Sequence, residues 1–373
     1  MRVQVVDPPA YTPPYDRSLC AALARAGAEV ELVTSRFAHG AVPVPEGYRV
    51  RESFYRFSGR ERIARGRLRR PVRAVEHLAG MARFRRASDD PDVTHYQWLS
   101  APTLDWALVP SRRPRLLTPH GWLRAEAWNE RPSLGLRRLF ARMDAIIALS
   151  EYGAARLTET AGVDSDRVRV IPHGAFDYLT RLRDEAPLPP ELEGAAGPVI
   201  LAFGLIRPYK RTDLLIEAMA ELTGAELWVV GRPLGVDVEA LRRRASELSV
   251  RARFVSRFVS EREIPAIFRR ADVVALPYSD AEQSGVLYTA LAFGKPIVLS
   301  DVGGFPEVAA RGAARLVSAG DRDALGAALA ELLTDEAARG RLADAARRAA
   351  EGPYSWDAIA AQTLALYRQL LAS

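Results

Sequence analysis

At 373 residues the chain is long enough for two domains, and its apolar content of 48% is ordinary for a globular protein. Apolar residues fall in short runs, so no membrane span is expected; the one cysteine, Cys20, excludes an internal disulfide framework or a cysteine-built metal site and makes a reducing cytoplasm the default. The net charge of +6 is concentrated before residue 178 and is carried by arginine, the two lysines being Lys210 and Lys295.

Met1 and Arg2 lead straight into an apolar strand over residues 3–6, so no secretory leader is expected. The loop that follows, residues 7–16, holds four prolines and two tyrosines, and reads either as a stiff wall of a binding cleft or as a structural turn. A helix over 17–26, ending at Gly27, and a strand over 29–34 complete the start of a Rossmann-like unit. No G-x-G-x-x-G follows the first strand, which argues against a dinucleotide here. Residues 49–86 hold 13 arginines and three glutamates, with Ile63, Leu68, Val72, Val75, Leu78, Met81 and Phe84 at helical spacing. Such a segment fits an anionic membrane surface, or else a solvated surface helix. No nucleic-acid motif accompanies the charge, so no nucleic-acid partner is expected.

Strand-and-loop segments follow over 92–98 and 115–121. His120 ends the second, where a catalytic or sugar-contacting group would sit, although a lone histidine also serves structure. A strand over 145–150 runs into a helix over 151–161 capped by Ser150, and a last strand and turn over 168–174 close this half near Tyr178. The division expected is residues 1–180, a proline-rich linker over 181–198, and a second domain over 199–355, with a final amphipathic helix over 356–373.

The second half alternates again. A strand over 199–203 feeds a loop with Gly204, Arg207, Lys210 and Thr212 before a helix, a composition able to hold a pyrophosphate. Strands over 226–230, ending at Gly231, and 252–255 follow, with helices over 238–248 and 261–270. The stretch from Pro277 to Val308 is the densest. An apolar strand over 271–276 ends in a turn with Glu282, Gln283, Ser284 and Gly285, and a helix over 286–293 begins there. A carboxylate beside a helix N-terminus suits a sugar phosphate, the N–H groups taking the anion and the carboxylate the hydroxyls. An ordinary strand–turn–helix with a solvated Glu282 remains the alternative. Both lysines lie beside these loops, which suggests a role there.

Taken together, FGLIRPYKRTDLLIEAM, ADVVALPYSDAEQSGVLYTALAFGKPIVLSDVGGFPEV and, in the first half, AIIALSEYGAARL with VRVIPHG resemble retaining glycosyltransferase family 4, the glycosyltransferases group 1. The resemblance implies an α/β GT-B fold, two Rossmann-like doubly wound domains facing each other across a cleft, with helix 356–373 packing back on the first. It also implies transfer of a hexosyl group, with retention, from a nucleotide-diphosphate sugar to an acceptor hydroxyl. It implies the donor-binding residues Gly204, Arg207, Lys210, Gly231, Glu282, Gln283, Ser284, Gly285 and Val286, and catalytic roles for His120, Glu282, Lys210 and Arg207. Tyr11, Tyr15 and His120 become acceptor-side candidates. The family's arginine after the glycine is here Leu205, with Arg207 taking its part. The family's second glutamate, which binds ribose, is here Ala290. No metal and no cofactor are implied. Alternatives are a nucleotide-sugar epimerase or phosphorylase on the same fold, or a catalytically weak sugar-nucleotide-binding protein. Contact with the inner face of an anionic membrane through 49–86 would be an addition. The base, sugar, acceptor and oligomeric state stay open.

Overall fold

A computed structural model of the chain describes residues 1–37, 42–57, 69–87, 90–99, 101–120 and 132–373, with backbone alone at 69, 70, 102 and 103. Two compact units emerge: residues 1–174 with 356–373, and residues 175–355.

The first unit is built on seven parallel strands: β1 (Arg2–Asp7), β2 (Glu29–Ser35), β3 (Arg49–Phe54), β4 (Val93–Tyr96), β5 (Arg115–Leu117), β6 (Ala145–Ala148) and β7 (Val168–Val170). Their order is β3-β2-β1-β4-β5-β6-β7, which reverses direction between β1 and β4. The inner strands are buried almost throughout, polar residues such as Gln4 and His95 included, because helices cover both faces of a parallel sheet. Helix α1 (Pro13–Arg25) begins earlier than the sequence suggests, so Tyr15 and Asp16 belong to the helix and the loop shrinks to residues 8–12. Pro13 and Pro14 open it, which is favourable because the first-turn N–H groups have no helical partner.

The basic segment divides. Residues 58–68, including Ile63 and Leu68, lie outside the described residues. Residues 49–54 are the edge strand β3, and a helix α2 (Arg69–Arg86) follows. Its buried face is His77, Gly80, Met81 and Phe84, while Val75 and Leu78 are exposed, so the expected apolar stripe is only partly the buried one. His77 is fixed between Asp105 Oδ1 (2.6 Å) and Tyr55 OH (2.7 Å). Two further helices, α3 (Pro102–Leu108) and α4 (Leu134–Ala141), precede α5 (Glu151–Glu159), whose Ser150 cap accepts from Gly153 N at 3.0 Å.

The second unit has six parallel strands in the order β10-β9-β8-β11-β12-β13: β8 (Val199–Phe203), β9 (Glu226–Val230), β10 (Ala252–Val255), β11 (Val273–Leu276), β12 (Ile297–Ser300) and β13 (Arg315–Val317). Here the order reverses between β8 and β11. Residues 175–198, expected as the end of the first domain and a linker, belong to this unit. They are bound to it: Ala186 N donates to Arg262 O (2.8 Å), Arg270 Nη2 donates to Gly197 O (2.7 Å), and Leu192 is in the apolar core. The prolines stiffen a docked segment here, so proline content alone misplaces the boundary. The last helix (Trp356–Ala372) belongs to the first unit. Arg25 Nη2 reaches Asp357 Oδ1 at 2.6 Å, and a Cβ on Gly174 would fall 2.5 Å from the Trp356 ring.

Candidate functional site

Doubly wound sheets bind ligands at the carboxyl ends of the strands where the order reverses. In the second unit these ends carry the loops 204–211 and 277–284. Gly204 (φ +90°) follows β8, and Gly231 (φ +148°) follows β9. Their backbones touch: a Cβ on Gly231 would lie 1.9 Å from Gly204 O. Only glycine meets both the φ and the close approach. Ile206 N donates to Arg232 O and Leu234 N to Ile206 O, at 3.0 and 2.8 Å, which extends the lock. On the other side Ser279 N donates to Tyr209 O at 2.8 Å, and the rings of Tyr209 and Tyr278 meet edge to face at 5.6 Å. A third loop supports the second. A Cβ on Gly303 (φ +54°) would lie 1.5 Å from Ala281 O, and Gly304 N donates to Glu282 O at 3.3 Å.

Three predicted residues converge within this frame. A Cβ on Gly204 would fall 2.9 Å from Lys210 Nζ and 3.1 Å from Val286 Cγ2. Lys210 ends the short turn Pro208–Lys210, donates from Nζ to Phe203 O at 3.0 Å, and holds its ammonium 5.2 Å from the centre of the Tyr278 ring. Burial lowers its pKa to about 8; Tyr209 opposes that shift and Arg207 adds to it. Arg207 is half-buried and caps the same turn by its backbone. Arg211 is turned away onto Asp213, 3.1 Å distant.

Glu282 and Gln283 are half-buried, and Gln283 Oε1 accepts from Tyr288 OH at 2.7 Å. Buried Ser284 caps α9 (Gly285–Ala292) through its carbonyl, which accepts from Leu287 N at 3.0 Å. Gly285 is exposed at the helix start, where N–H groups remain for a ligand. Lys295 is not part of this site. It precedes β12, at the amino ends of the strands and so away from the loops at their carboxyl ends, and its Nζ donates to Arg269 O and Ala271 O at 2.9 and 2.8 Å. It thus satisfies the carboxyl end of helix α8 (Ile264–Arg270), a cation at a negative helix pole. Sequence reasoning also passed over Tyr209, Tyr278 and Gly303; the Gly-Gly after β12 was the available signal for the last.

In the first unit His120 follows β5. The Tyr15 ring meets it edge-on at 4.5 Å and the Trp98 ring stacks on it at 5.8 Å. Tyr15 is buried beneath His120 and packs it, whereas Tyr11 is exposed and lies edge-on to Trp98 at 5.4 Å. His120 Nε2 is 2.8 Å from Gln97 Oε1, and Gln97 Nε2 is 3.2 Å from His95 Nε2. His95 Nε2 is also 2.8 Å from Thr118 Oγ1, and His95 Nδ1 is 2.6 Å from Tyr367 OH. Burial pushes His95 down to about 3 and His173 to about 4, and holds His120 well below the ordinary range. His120 is therefore a neutral imidazole at pH 7, a hydrogen-bonding group and not a cation.

Comparison with known proteins places this geometry. The family described as Glycosyltransferase Family 4 matches residues 17–175, and Glycosyl transferases group 1 matches 197–335. A D-inositol 3-phosphate glycosyltransferase of Xylanimonas cellulosilytica is 31% identical over 391 residues, covering 95% of this chain and 90% of that protein. The chain belongs to the family 4, group 1 glycosyltransferases. A relative with the same description from Nocardia farcinica is 35% identical over 217 residues, a match spanning 53% of this chain and about half, 48%, of that relative. The crystal structure of Anabaena HepE in complex with UDP-glucose covers 99% of this chain and is covered completely, with a TM-score of 0.72 at 19% identity. That likeness gives the fold, GT-B. Against the family pattern, Leu205 lines the small cleft beside Lys210, and Ala290 is fully buried in the apolar core of the second unit.

Proposed function

We propose that the chain is a retaining transferase that moves a hexosyl group from a nucleoside diphosphate sugar to an acceptor hydroxyl. The observation that carries this reading is the convergence of Gly204, Lys210 and Val286 at the sheet's reversal point. The bond from the anomeric carbon to the diphosphate oxygen breaks, and a bond to the acceptor oxygen forms on the same face. The acceptor proton passes to the departing diphosphate. Lys210 and Arg207 offset the charge that develops there, and the backbone N–H groups at the start of α9 add donors. Glu282 accepts from the hydroxyls of the transferred sugar. The resemblance assigns His120 a role at the reacting sugar, which it would fill as a neutral group. With two cations assigned to the diphosphate, no metal is required.

UDP-glucose, seen with HepE, is the first donor to try. A thermal-shift panel of UDP, GDP, TDP and ADP with their sugars tests the site, because a ligand of the folded state raises the midpoint by mass action. Product anomeric coupling in proton NMR tests retention, and transfer in the presence of EDTA tests metal independence. Inositol phosphate belongs among the acceptors tried, since it names the relatives' activity. No shift with any nucleotide would overturn the reading.

Peripheral contact with an anionic membrane is supported by Val75 and Leu78, exposed on the helix that ends in Arg83, Arg85 and Arg86. Flotation with anionic but not neutral vesicles is the expected result.

A further inference from the structure

The ammonium of Lys210 sits in a half-buried site without a carboxylate. Its Nζ donates to Phe203 O at 3.0 Å, and among the described residues no acidic side chain acts on it. From its own turn Arg207 opposes the charged form and Tyr209 favours it. Facing the ammonium from the neighbouring loop is Tyr278, whose ring centre lies 5.2 Å from Nζ. The negative face of an aromatic ring attracts a cation within about 6 Å of its centre, and more strongly where water is excluded. A partly desolvated ammonium left with one carbonyl is otherwise a costly group. A ring also stabilises the cation without a counter-charge, so no carboxylate has to be displaced when an anion arrives.

Tyr278 is itself held from three sides. It lies two residues beyond β11 and is buried. The Tyr209 ring meets it edge to face at 5.6 Å, and the Phe305 ring lies tilted against it, also at 5.6 Å. Its hydroxyl shares a hydrogen bond with the side chain of Ser284, the residue that precedes α9. Burial pushes the phenol up in pKa, with the Ser284 bond opposing, so the ring is a neutral phenol and attracts through its face, not through a charge. Tyr209 belongs to the loop after β8, Tyr278 and Ser284 to the loop after β11, and Phe305 ends the loop after β12. One ring therefore touches all three loops that frame the proposed donor site, and a shift of any of them moves the face that meets Lys210.

We propose that Tyr278 is a positioning residue whose ring face holds the Lys210 ammonium charged and in place for the donor diphosphate. The role rests on the transferase reading above; the contact of ring and ammonium does not. Tyr278 acts through Lys210 and needs no contact of its own with the donor.

The test is an NMR titration of the full chain carrying lysine labelled at Cε. The two lysines, Lys210 and Lys295, give two signals, and Lys210→Met identifies the first. Tyr278→Phe keeps the ring face and should leave the Lys210 midpoint near pH 8. Phenylalanine with successive ring fluorines at position 278 keeps the shape and weakens the negative face step by step. The midpoint should fall with each fluorine, by about one unit at the trifluoro ring, a tenfold change in proton affinity. A midpoint indifferent to fluorine overturns the proposal. UDP affinity gives the functional readout. With the midpoint lowered by one unit, about a tenth of Lys210 is charged at pH 8 against about half in Tyr278→Phe, so UDP should bind the trifluoro chain about fivefold more weakly there and almost equally at about pH 6.5. An equal loss at both pH values would make Tyr278 a loop support and remove it from the role. A fluorine-dependent midpoint with no nucleotide binding by the wild type would sink the transferase reading and leave the contact of Tyr278 with Lys210 standing. Nucleotide binding with a midpoint blind to fluorine would do the reverse.

Discussion

The sharpest consequence of the donor-loop geometry concerns Lys210. Its ammonium is held at a pKa of about 8, chiefly by burial, with a carbonyl at 3.0 Å and no charge partner described beside it. A diphosphate placed against it would restore the ordinary value or exceed it. Binding should then take up a proton: about half of one at pH 8, about a tenth at pH 7 and about nine-tenths at pH 9. Titration calorimetry of UDP in two buffers of different ionisation enthalpy reads this directly. Affinity should be flat below pH 7 and fall by up to about tenfold per unit above pH 8. Lys210→Met keeps the volume and removes the charge. It should abolish the buffer-dependent heat and weaken binding by about 2 kcal/mol, roughly thirtyfold.

The same substitution should stabilise the ligand-free fold. A lowered folded pKa means that the folded state binds fewer protons than the unfolded chain between about pH 8 and 10.5, so wild-type stability rises with pH across that window. Below pH 8 the penalty is fully present. The shift corresponds to at most about 3 kcal/mol, and partial exposure reduces this to about 1–2 kcal/mol. Lys210→Met should therefore melt higher than wild type at pH 7, and the difference should close by about pH 10.5. No buffer-dependent heat at pH 8 in the wild type, or the same heat in the variant, would refute the assignment of Lys210 to the diphosphate.

Glu282→Gln should weaken sugar-nucleotide binding by about tenfold while sparing the bare diphosphate; equal losses on both would make Glu282 a loop support and not a sugar contact. Gly231→Ala drives a Cβ to 1.9 Å from Gly204 O and should cost roughly 3 kcal/mol or more together with donor binding. Gly312→Ala, at φ +72° with nothing within 4 Å of the new Cβ, is the control and should cost about 1 kcal/mol; similar losses in the two variants would mean that the Gly204–Gly231 contact is unimportant. Burial raises Asp7 to about 6, and burial with the Asp7 charge raises Asp16 well above its ordinary value, so the fold binds extra protons above pH 3.8 and loses stability as pH rises through about 6. Asp16→Asn should flatten the decline in Tm between pH 4.5 and 7, whereas parallel curves would show that the pair does not titrate in that window.

Buried parallel strands are the most legible elements in this sequence. The strands at 199–203 and 226–230 fall where their apolar runs place them, because burial on both faces leaves no polar alternation to confuse the pattern. Strand β3 was hidden because its sequence, RVRESF, alternates at the sheet edge inside an arginine-rich stretch. Strand β13 has three residues, too few for a period to show. In the loops after β8 and β11, Gly204, Lys210 and Glu282 stood out in the sequence because glycines and charged residues cluster there at a few adjacent positions. The Tyr209–Ser279 clip and the His95–Tyr367 contact were not, since they join residues 70 and 272 positions apart and neither partner has a local reason to be where it is. Lys295 shows the opposite failure: a rare residue near the motif in sequence, but at the amino ends of the strands and occupied by a helix terminus.

The departure at Ala290 carries its own consequence. The cradle proposed for the donor is made largely by backbone: Gly204 against Gly231, Gly303 against Ala281, and the N–H groups opening α9. Changing a side chain one turn further along that helix leaves this frame intact. The resemblance assigns that position a carboxylate for the ribose hydroxyls, but Ala290 is fully buried and offers no hydrogen bond from its side chain. Phosphate and sugar should therefore hold the nucleotide with little help from ribose. A hydroxyl bonded to a buried carboxylate contributes about 1.5–3 kcal/mol, so an enzyme with that pair should prefer UDP over 2′-deoxy-UDP by tenfold or more, roughly. For this chain the preference should be no more than about threefold, a net hydrogen bond to water exchanged for nothing. Competition calorimetry of the two nucleotides decides it. A tenfold preference would mean that another side chain has taken over the ribose, and the frame of loops around Gly231 would be the first place to look for it.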